Sequence, residues 1–529
     1  MDSKQDTPHH VDASSDKASI EHTETARQSG EGGAVVDDSG RVLVTQEDSK
    51  RICRRTDIYL LLLLIYVYFL QIADKQIVAY STVFGLKEDA GLVGDQYSQI
   101  GSAGYYAQLA AQPLGAYLLV KFSPKYLMSI SVFLWAVSLF GMTASDTFKA
   151  LFATRFLLGF FEAIAIPLFS LLTSQYYLRS EQPLRVASWY ASNGWGGAIG
   201  SAVVYGLGHI DSPVLHSYQI VFLFFAILTI LIAPVLYFAI PHNVGSAWFL
   251  TPDDRTKAVE RLRSNNTGIG GKQDFKWKQV FELFSEPKTY LFLLMSVCVN
   301  MGAAVVSVFS PLILQGLAGF DKFTTTLLNI PFGILQVVVI YLASYIATRF
   351  KSKSIPFAVF MVPVVVGCAL LMALPRTPLN KSALLFGYYM LSFIFSANPI
   401  IVAWMTSSVA GQTKKSAMFT SFNAASAVGN ILSPQIFRAR DAPAYKPGLS
   451  ATLGFFIGLE VLIGLQVLNL MWLNKKKEDQ RERNGKPRKL VDLSMATKFD
   501  NSTVLGTKFG QNADLDLTDA ANDEFTYVY

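Results

Sequence analysis

Five charged residues stand inside long apolar runs: Asp74 and Lys75, Arg155 and Glu162, and Glu460. Within hydrocarbon each costs on the order of 2.5–3.5 kcal/mol at a helix centre. Residues that costly usually face a watery cavity and act there. The acids are groups that can take up a proton, and the bases are groups that can hold an anion. Arg155 and Glu162 lie seven positions apart, which on a helix puts them on one face, two turns and roughly 10 Å apart. Gly159 falls between them and leaves room for a ligand or a partner helix. The competing reading is that Arg155 snorkels to the outer interface and the acids only neutralise the bases. For Glu460, which has no basic partner nearby in sequence, that plainer reading is the stronger one.

Four amides share the apolar runs: Asn193, Asn300, Asn398 and Asn423. Each is read first as glue between helices and second as a ligand contact. Asn193 and Asn423 rank highest for ligand contact, because an internal repeat places them at matching points. The string from Asn193 to Gly200, rich in glycine, lies inside an apolar run and reads as close helix packing, not as a phosphate loop.

The elements that must position these residues are helices that cross a bilayer. About 20 apolar residues are needed per crossing, and twelve runs qualify, roughly 58–83, 97–119, 126–145, 149–177, 185–208, 218–240, 289–315, 323–348, 355–375, 383–405, 415–437 and 450–473. Closed barrels need short alternating strands, and these runs are long and unbroken. The expected division is a disordered cytoplasmic N-tail (1–56), a six-helix half (57–240), a cytoplasmic linker (241–288), a second six-helix half (289–473) and a cytoplasmic C-tail (474–529).

Composition agrees. The chain is 529 residues long and only 16% charged, against about 25% for a soluble domain. Net charge is +6, but the basic residues sit between apolar runs, as topology signals do, and not in a nucleic-acid patch. Cys53, Cys298 and Cys368 have no metal-ligand spacing, and no disulfide framework is expected. No nucleophile, base and orienter appear together, so no enzyme and no resident cofactor are expected. Basic loops holding Lys121/Lys125, Arg179/Arg185, Arg349/Lys351/Lys353 and Lys414/Lys415 alternate with loops that lack that bias, which places the basic ones in the cytoplasm. Arg438, Arg440 and Lys446 form a mild exception on the outer side. The sequons at Asn265, Asn380 and Asn501 fall in cytoplasmic or very short loops, and the basic stretch 475–489 reads as a positive flank that can touch anionic lipid.

Two landmarks repeat at nearly one offset. Val120-Lys121-Phe122-Ser123-Pro124-Lys125 is matched by Thr348-Arg349-Phe350-Lys351-Ser352-Lys353, 228 residues on. Arg185 precedes Asn193 as Lys415 precedes Asn423, 230 residues on. Paired halves about a central site are the usual plan of a secondary transporter.

The stretch 57–475 resembles the anion:cation symporter family of the major facilitator superfamily, in its fungal allantoate permease branch. The resemblance is carried by Tyr68-Phe69-Leu70 through Asp74-Lys75, by Gly91-Leu92-Val93-Gly94-Asp95-Gln96-Tyr97-Ser98, by Arg155 through Gly159, Glu162 and Pro167, and by Tyr177-Leu178-Arg179-Ser180-Glu181-Gln182 with Arg185. Trp248-Phe249-Leu250-Thr251-Pro252 and Asp441-Ala442-Pro443-Ala444-Tyr445 add to it.

The resemblance implies an all-α major facilitator fold and proton-coupled import of a small organic anion, such as allantoate, ureidosuccinate or a carboxylate vitamin. By carry-over, Lys75 and Arg155, with Asn193 and Asn423, contact substrate, while Asp74 and Glu162 take the coupling protons. Arg179, Glu181, Arg185 and Arg349 are assigned to the cytoplasmic gate. Lys75 stands where relatives often have Arg, and a lysine is a point charge, not a fork. Val120 and Thr348 replace the acid that usually precedes the basic loop residue, which puts the usual inner-gate ion pair in question. The expected carrier is a monomer in the bilayer, in the plasma membrane first and the vacuolar membrane second, with the proton as coupling ion. Rival readings are an exporter of a secondary metabolite and a transporter-like nutrient sensor.

Overall fold

The computed structural model describes residues 42, 44–81, 86–93, 96–207, 210, 212–263, 265, 274–318, 322–375, 377–436, 446–488 and 516–529. Most of the N-tail, Gly94-Asp95, the outer-loop bases Arg438 and Arg440, the string Asp441–Tyr445 and Asn501 lie outside the described residues.

Twelve helical passes follow in order. They are α1 (Leu62–Ser81), α2 (Gln96–Lys121), α3 (Pro124–Thr143), α4 (Phe148–Glu162 and Ala165–Tyr176), α5 (Gln182–Tyr190 and Ser192–Leu207) and α6 (Ser217–Ala239). Then come α7 (Pro287–Ala318), α8 (Lys322–Phe350), α9 (Ser354–Ala373), α10 (Lys381–Met390 and Ala397–Ser408, joined by a 3-10 stretch), α11 (Gln412–Ile436) and α12 (Lys446–Arg483). Eight passes in the described residues are by themselves long and apolar enough to span a membrane. Of the other four passes, α2, α5 and α11 hold the polar and small residues of the central seam. A helix that meets another helix instead of lipid has no need of a fully apolar surface.

Each half packs internally, α3 against α6 and α2 against α4 in the first, α7 against α11 and α12 in the second. The halves meet most extensively where α2 crosses α11 and α5 crosses α8, and also where α5 packs on α10 and α4 on α11. Glycines set the approach. A Cβ on Gly159 would sit 2.5 Å from the Gly104 carbonyl oxygen, so α4 and α2 touch backbone to backbone. The room at Gly159 is therefore taken by a partner helix. A Cβ on Gly194 would sit 2.6 Å from the Gly333 carbonyl oxygen, which makes the glycine-rich string of α5 a helix-packing surface against α8.

Three segments outside the membrane differ from expectation. The N-tail is helical from Gln46, and runs through a π-turn at Asp57–Leu61 directly into α1. Thr45 caps that helix in a reciprocal capping box with Asp48, which satisfies two orphan donors at once. The linker contains helices Pro252–Arg263 and Trp277–Ser285. Arg51 and Arg55 pair with Asp254 at 2.6 and 3.1 Å, and tie the first linker helix to the N-terminal helix. Residues 516–529 of the C-tail pack against the same face of the molecule, through Lys276 of the linker and Asn474 of α12. The helix that starts at Gln46, the linker helices and residues 516–529 thus share one face, the one that carries the basic loops.

Candidate functional site

Helix α1 supplies Asp74 and Lys75, and α4 supplies Arg155 and Glu162. The structure brings all four together in the N-terminal half. Lys75 Nζ lies 3.1 Å from Glu162 Oε1. The lysine side chain keeps 26% of its exposure while the glutamate keeps 6%, so the pair is not wholly sealed in the core. Arg155 is buried and donates from Nη1 to the Asp74 backbone carbonyl at 3.2 Å. Its side chain passes over Gly104 of α2, where a Cβ would lie 3.6 Å from Nε.

The four charges are unequally satisfied. Neither Asp74 carboxylate oxygen makes a hydrogen bond, although the carboxyl is buried and the Trp135 indole lies against it. Arg155 Nε is also buried without a partner. Buried groups of this kind are ordinarily satisfied, and exceptions concentrate at working sites. The Lys75 ammonium is held by the Glu162 carboxylate, and the arginine retains an unused donor. Two bases placed close together suit an anionic group.

Asn193 joins this site indirectly. Its Nδ2 donates to Tyr68 Oη at 3.2 Å and to the Tyr190 carbonyl at 3.0 Å. Tyr68 precedes Lys75 by seven residues on α1, so the two share a face. Sequence reading passed over Tyr68, and the seven-residue spacing was the signal that would have found it.

Asn423 has a different job in this conformation. Its Nδ2 donates to the Ala163 carbonyl at 2.8 Å, and its Oδ1 accepts from Gln108 Nε2 at 2.7 Å. Both partners belong to the other half. In this conformation Asn423 bridges the two halves, and the cause is local. Pro167 stands four residues after Ala163 and has no N–H to give. The α4 helix breaks after Glu162, the Ala163 carbonyl is left free, and Asn423 with Gln112 (3.3 Å) takes it up. The residue next to the proposed proton site is thereby held by the opposite half.

The remaining polar residues lie elsewhere. Asn300 is paired with Asn430 of α11 at 3.4 Å, as interhelix glue. Asn398 and Glu460 each keep one buried oxygen without a hydrogen bond and stand apart from the four charges.

Three of the expected gate residues gather on the face shared by the N-terminal helix, the linker and the tail. Arg185 grips Asp57 with two donors, at 3.1 and 2.8 Å, and also reaches Cys53 Sγ. Glu181 accepts from both amino groups of Arg261, at 3.2 and 2.9 Å, and from the Leu178 amide. Arg179 is buried, stacks over the Phe525 ring at 4.3 Å and donates to the Thr526 carbonyl at 3.2 Å. Arg349 does not join them: it is exposed at the end of α8. Lys353, four residues on, takes the buried role instead and donates to the Ala403 carbonyl and to Ser407 on α10. No group of three or more metal-ligating side chains occurs among the described residues.

Comparison with known proteins fits this architecture. Residues 64–434 match the family model of the Major Facilitator Superfamily. The chain is 29% identical to the thiamine pathway transporter THI73 of Saccharomyces cerevisiae, over 92% of this chain and 87% of the relative. It is 26% identical to the allantoate permease of the same yeast, over 88% of each chain. Among solved structures, the proton:xylose symporter XylE superposes with a TM-score of 0.60 at 15% identity, over 80% of this chain and 96% of the other. The family match, the paired six-helix halves and the full-length relatives lead to one conclusion: this multi-pass membrane protein belongs to the major facilitator superfamily and is a transporter, not an enzyme.

Proposed function

We propose that the protein is a proton-coupled symporter that imports a small organic anion by alternating access. The observation that carries this reading is the Lys75–Glu162 ion pair, its lysine only partly buried, beside a buried arginine with a donor to spare. Protonation of Glu162 removes the charge that holds Lys75, and the freed ammonium, with Arg155, binds a substrate carboxylate. Binding of either ligand favours the other, because coupling between two sites is reciprocal. Asp74, a buried carboxyl that no side chain neutralises through a hydrogen bond, is the second place for a travelling proton.

Energetics favour symport. An anion entering a cell that is negative inside climbs the potential at about 2.3 kcal/mol per charge per 100 mV. One proton per charge cancels that cost and adds the pH gradient. The 26% identity to an allantoate permease supports an organic anion as cargo. The plasma membrane is the expected site of such uptake, and a monomer contains the complete arrangement of paired halves.

The test is uptake of a radiolabelled panel (allantoate, ureidosuccinate, nicotinate, pantothenate, biotin) in a fungal strain that lacks its own carriers. At least one acid is expected to accumulate faster at pH 5 than at pH 8, and to be lost with a protonophore. Uptake indifferent to both would remove the symport reading.

A further inference from the structure

Residues 516–529 carry four acids, Asp516, Asp519, Asp523 and Glu524, and no base. A polar, acidic end of this kind is ordinarily solvated. Here Asp519, Phe525, Tyr527 and Val528 are buried. We infer that this segment is an autoinhibitory clasp: it docks across the cytoplasmic mouth, holds the two halves together on that side, and must leave before the carrier opens inward.

The docking surface is built for this occupant. Asp519 sits between the buried ammonium groups of Lys288 and Lys414; its Oδ1 lies 3.0 Å from Lys414 Nζ, and its Oδ2 pairs with Lys288 and accepts from Tyr527 Oη at 2.7 Å. Tail carboxylates also fill the N-terminal end of α11. The Ala410 amide donates to Asp519 at 3.2 Å and the Gln412 amide to Asp516 at 2.7 Å. A helix N-terminus presents unpaired N–H groups and the positive end of a dipole, so it favours carboxylates. Gly411 permits this, because its φ of +91° turns the chain between those two amides.

The segment then reaches across. On the C-terminal half, Trp404 Nε1 donates to the Val528 carbonyl at 2.8 Å, and Asn474 exchanges two 2.8 Å bonds with the Tyr527 backbone. On the N-terminal half, Arg179 stacks on Phe525 and donates to Thr526. One short segment therefore grips both halves. The seam just above it is shut: Ala187 and Ala191 of α5 pack on Val337 and Ile340 of α8, and Ser416 of α11 donates to the Ala116 carbonyl of α2 at 2.8 Å. Alternating access requires the halves to part along this seam.

The experiment needs neither a substrate nor a proton gradient, so its outcome is separable from the symport reading. Cys53, Cys298 and Cys368 are replaced, Ala187→Cys is introduced at the seam, and inside-out vesicles are treated with a polyethylene-glycol maleimide. Alkylation is expected to be slow in the full-length chain. It is expected to rise roughly fivefold or more in a chain that lacks 516–529, and also in the full-length variant Asp519→Asn/Phe525→Ala, which keeps the segment but unmakes its anchors. A synthetic peptide of residues 516–529 added to the shortened chain is expected to restore protection, and a scrambled peptide is not. Equal alkylation rates in the parent chain and in the full-length double variant would overturn the inference, as would failure of the peptide to protect a shortened chain that elutes as a folded monomer.

Discussion

Two clusters of buried charge in this molecule are handled in opposite ways. Around Asp519, two lysines, one backbone amide and a tyrosine hydroxyl converge on one carboxylate. Around Asp74, the carboxylate oxygens make no hydrogen bond, the arginine spends one donor on a backbone carbonyl, and the lysine is held by a single contact to Glu162. A saturated network fixes one arrangement. An undersaturated one keeps donors and acceptors in reserve, and a carrier needs that reserve where ions come and go. The contrast assigns holding to the cytoplasmic cluster and exchange to the membrane cluster.

Substitutions that strike each cluster sharpen the contrast, and the largest effect belongs to Glu162. With Glu162→Gln, concentrative uptake is expected to vanish while binding persists, because the fixed neutral side chain leaves Lys75 free but can no longer exchange a proton. Normal accumulation by this variant, at normal surface abundance, would return Glu162 to a packing role.

Arg155→Lys comes next. A lysine keeps the charge and loses the planar fork. Loss of one charge-assisted hydrogen bond costs roughly 1.5–3 kcal/mol, which is about ten- to a hundredfold in apparent KM. A snorkelling arginine would tolerate the change, so unaltered KM at equal abundance contradicts the assignment.

Asn423→Ala is expected to act on the closed state more than on substrate. Two hydrogen bonds between the halves disappear, each worth about 0.5–1.5 kcal/mol. Alkylation at the α5–α8 seam is expected to rise several-fold, with KM changed less than in Arg155→Lys. A KM effect without a change in seam protection would restore the ligand-contact reading.

The smallest effect expected is that of pH on the docked tail. Burial raises the pKa of Asp519, but Lys288 and Lys414 outweigh it and hold the carboxyl well below the usual carboxylate range. A group depressed in the docked state contributes fully above its ordinary pKa of about 4 and loses that contribution only as pH falls below it. Seam protection is therefore expected to be flat from pH 8 to pH 5, while uptake rises over the same interval. A protection curve that tracks uptake would mean that the two clusters are not separate devices.

Much of this was legible in the sequence. Twelve apolar runs are long-range features that need no tertiary knowledge, and a charge inside one is conspicuous because it is costly. Family positions singled out all four charges and helix periodicity put Arg155 and Glu162 on one face, but the meeting of Lys75 with Glu162 was visible only in the structure. The carbonyl contact of Asn423 was not foreseen, because a buried amide looks alike whether it faces a ligand or a carbonyl. What decides is Pro167, which strips the partner from a carbonyl on a different helix. The capping box at Thr45 and Asp48 was in plain view, yet the surrounding polarity suggested disorder. The tail could not be read at all: an acidic end is solvated unless a distant part of the chain supplies matching ammonium groups, and Lys288, Lys414 and Asp519 are separated by more than a hundred positions.

The central claim is that Glu162 exchanges the coupling proton while Lys75 waits on its state. Proteoliposomes loaded with the acid that scores in the uptake panel test it most directly, by comparison of wild type with Glu162→Gln. The account predicts that an imposed acid-outside gradient drives accumulation in the wild type alone, while both proteins exchange labelled for unlabelled substrate at zero gradient. Gradient-driven accumulation by Glu162→Gln would contradict it.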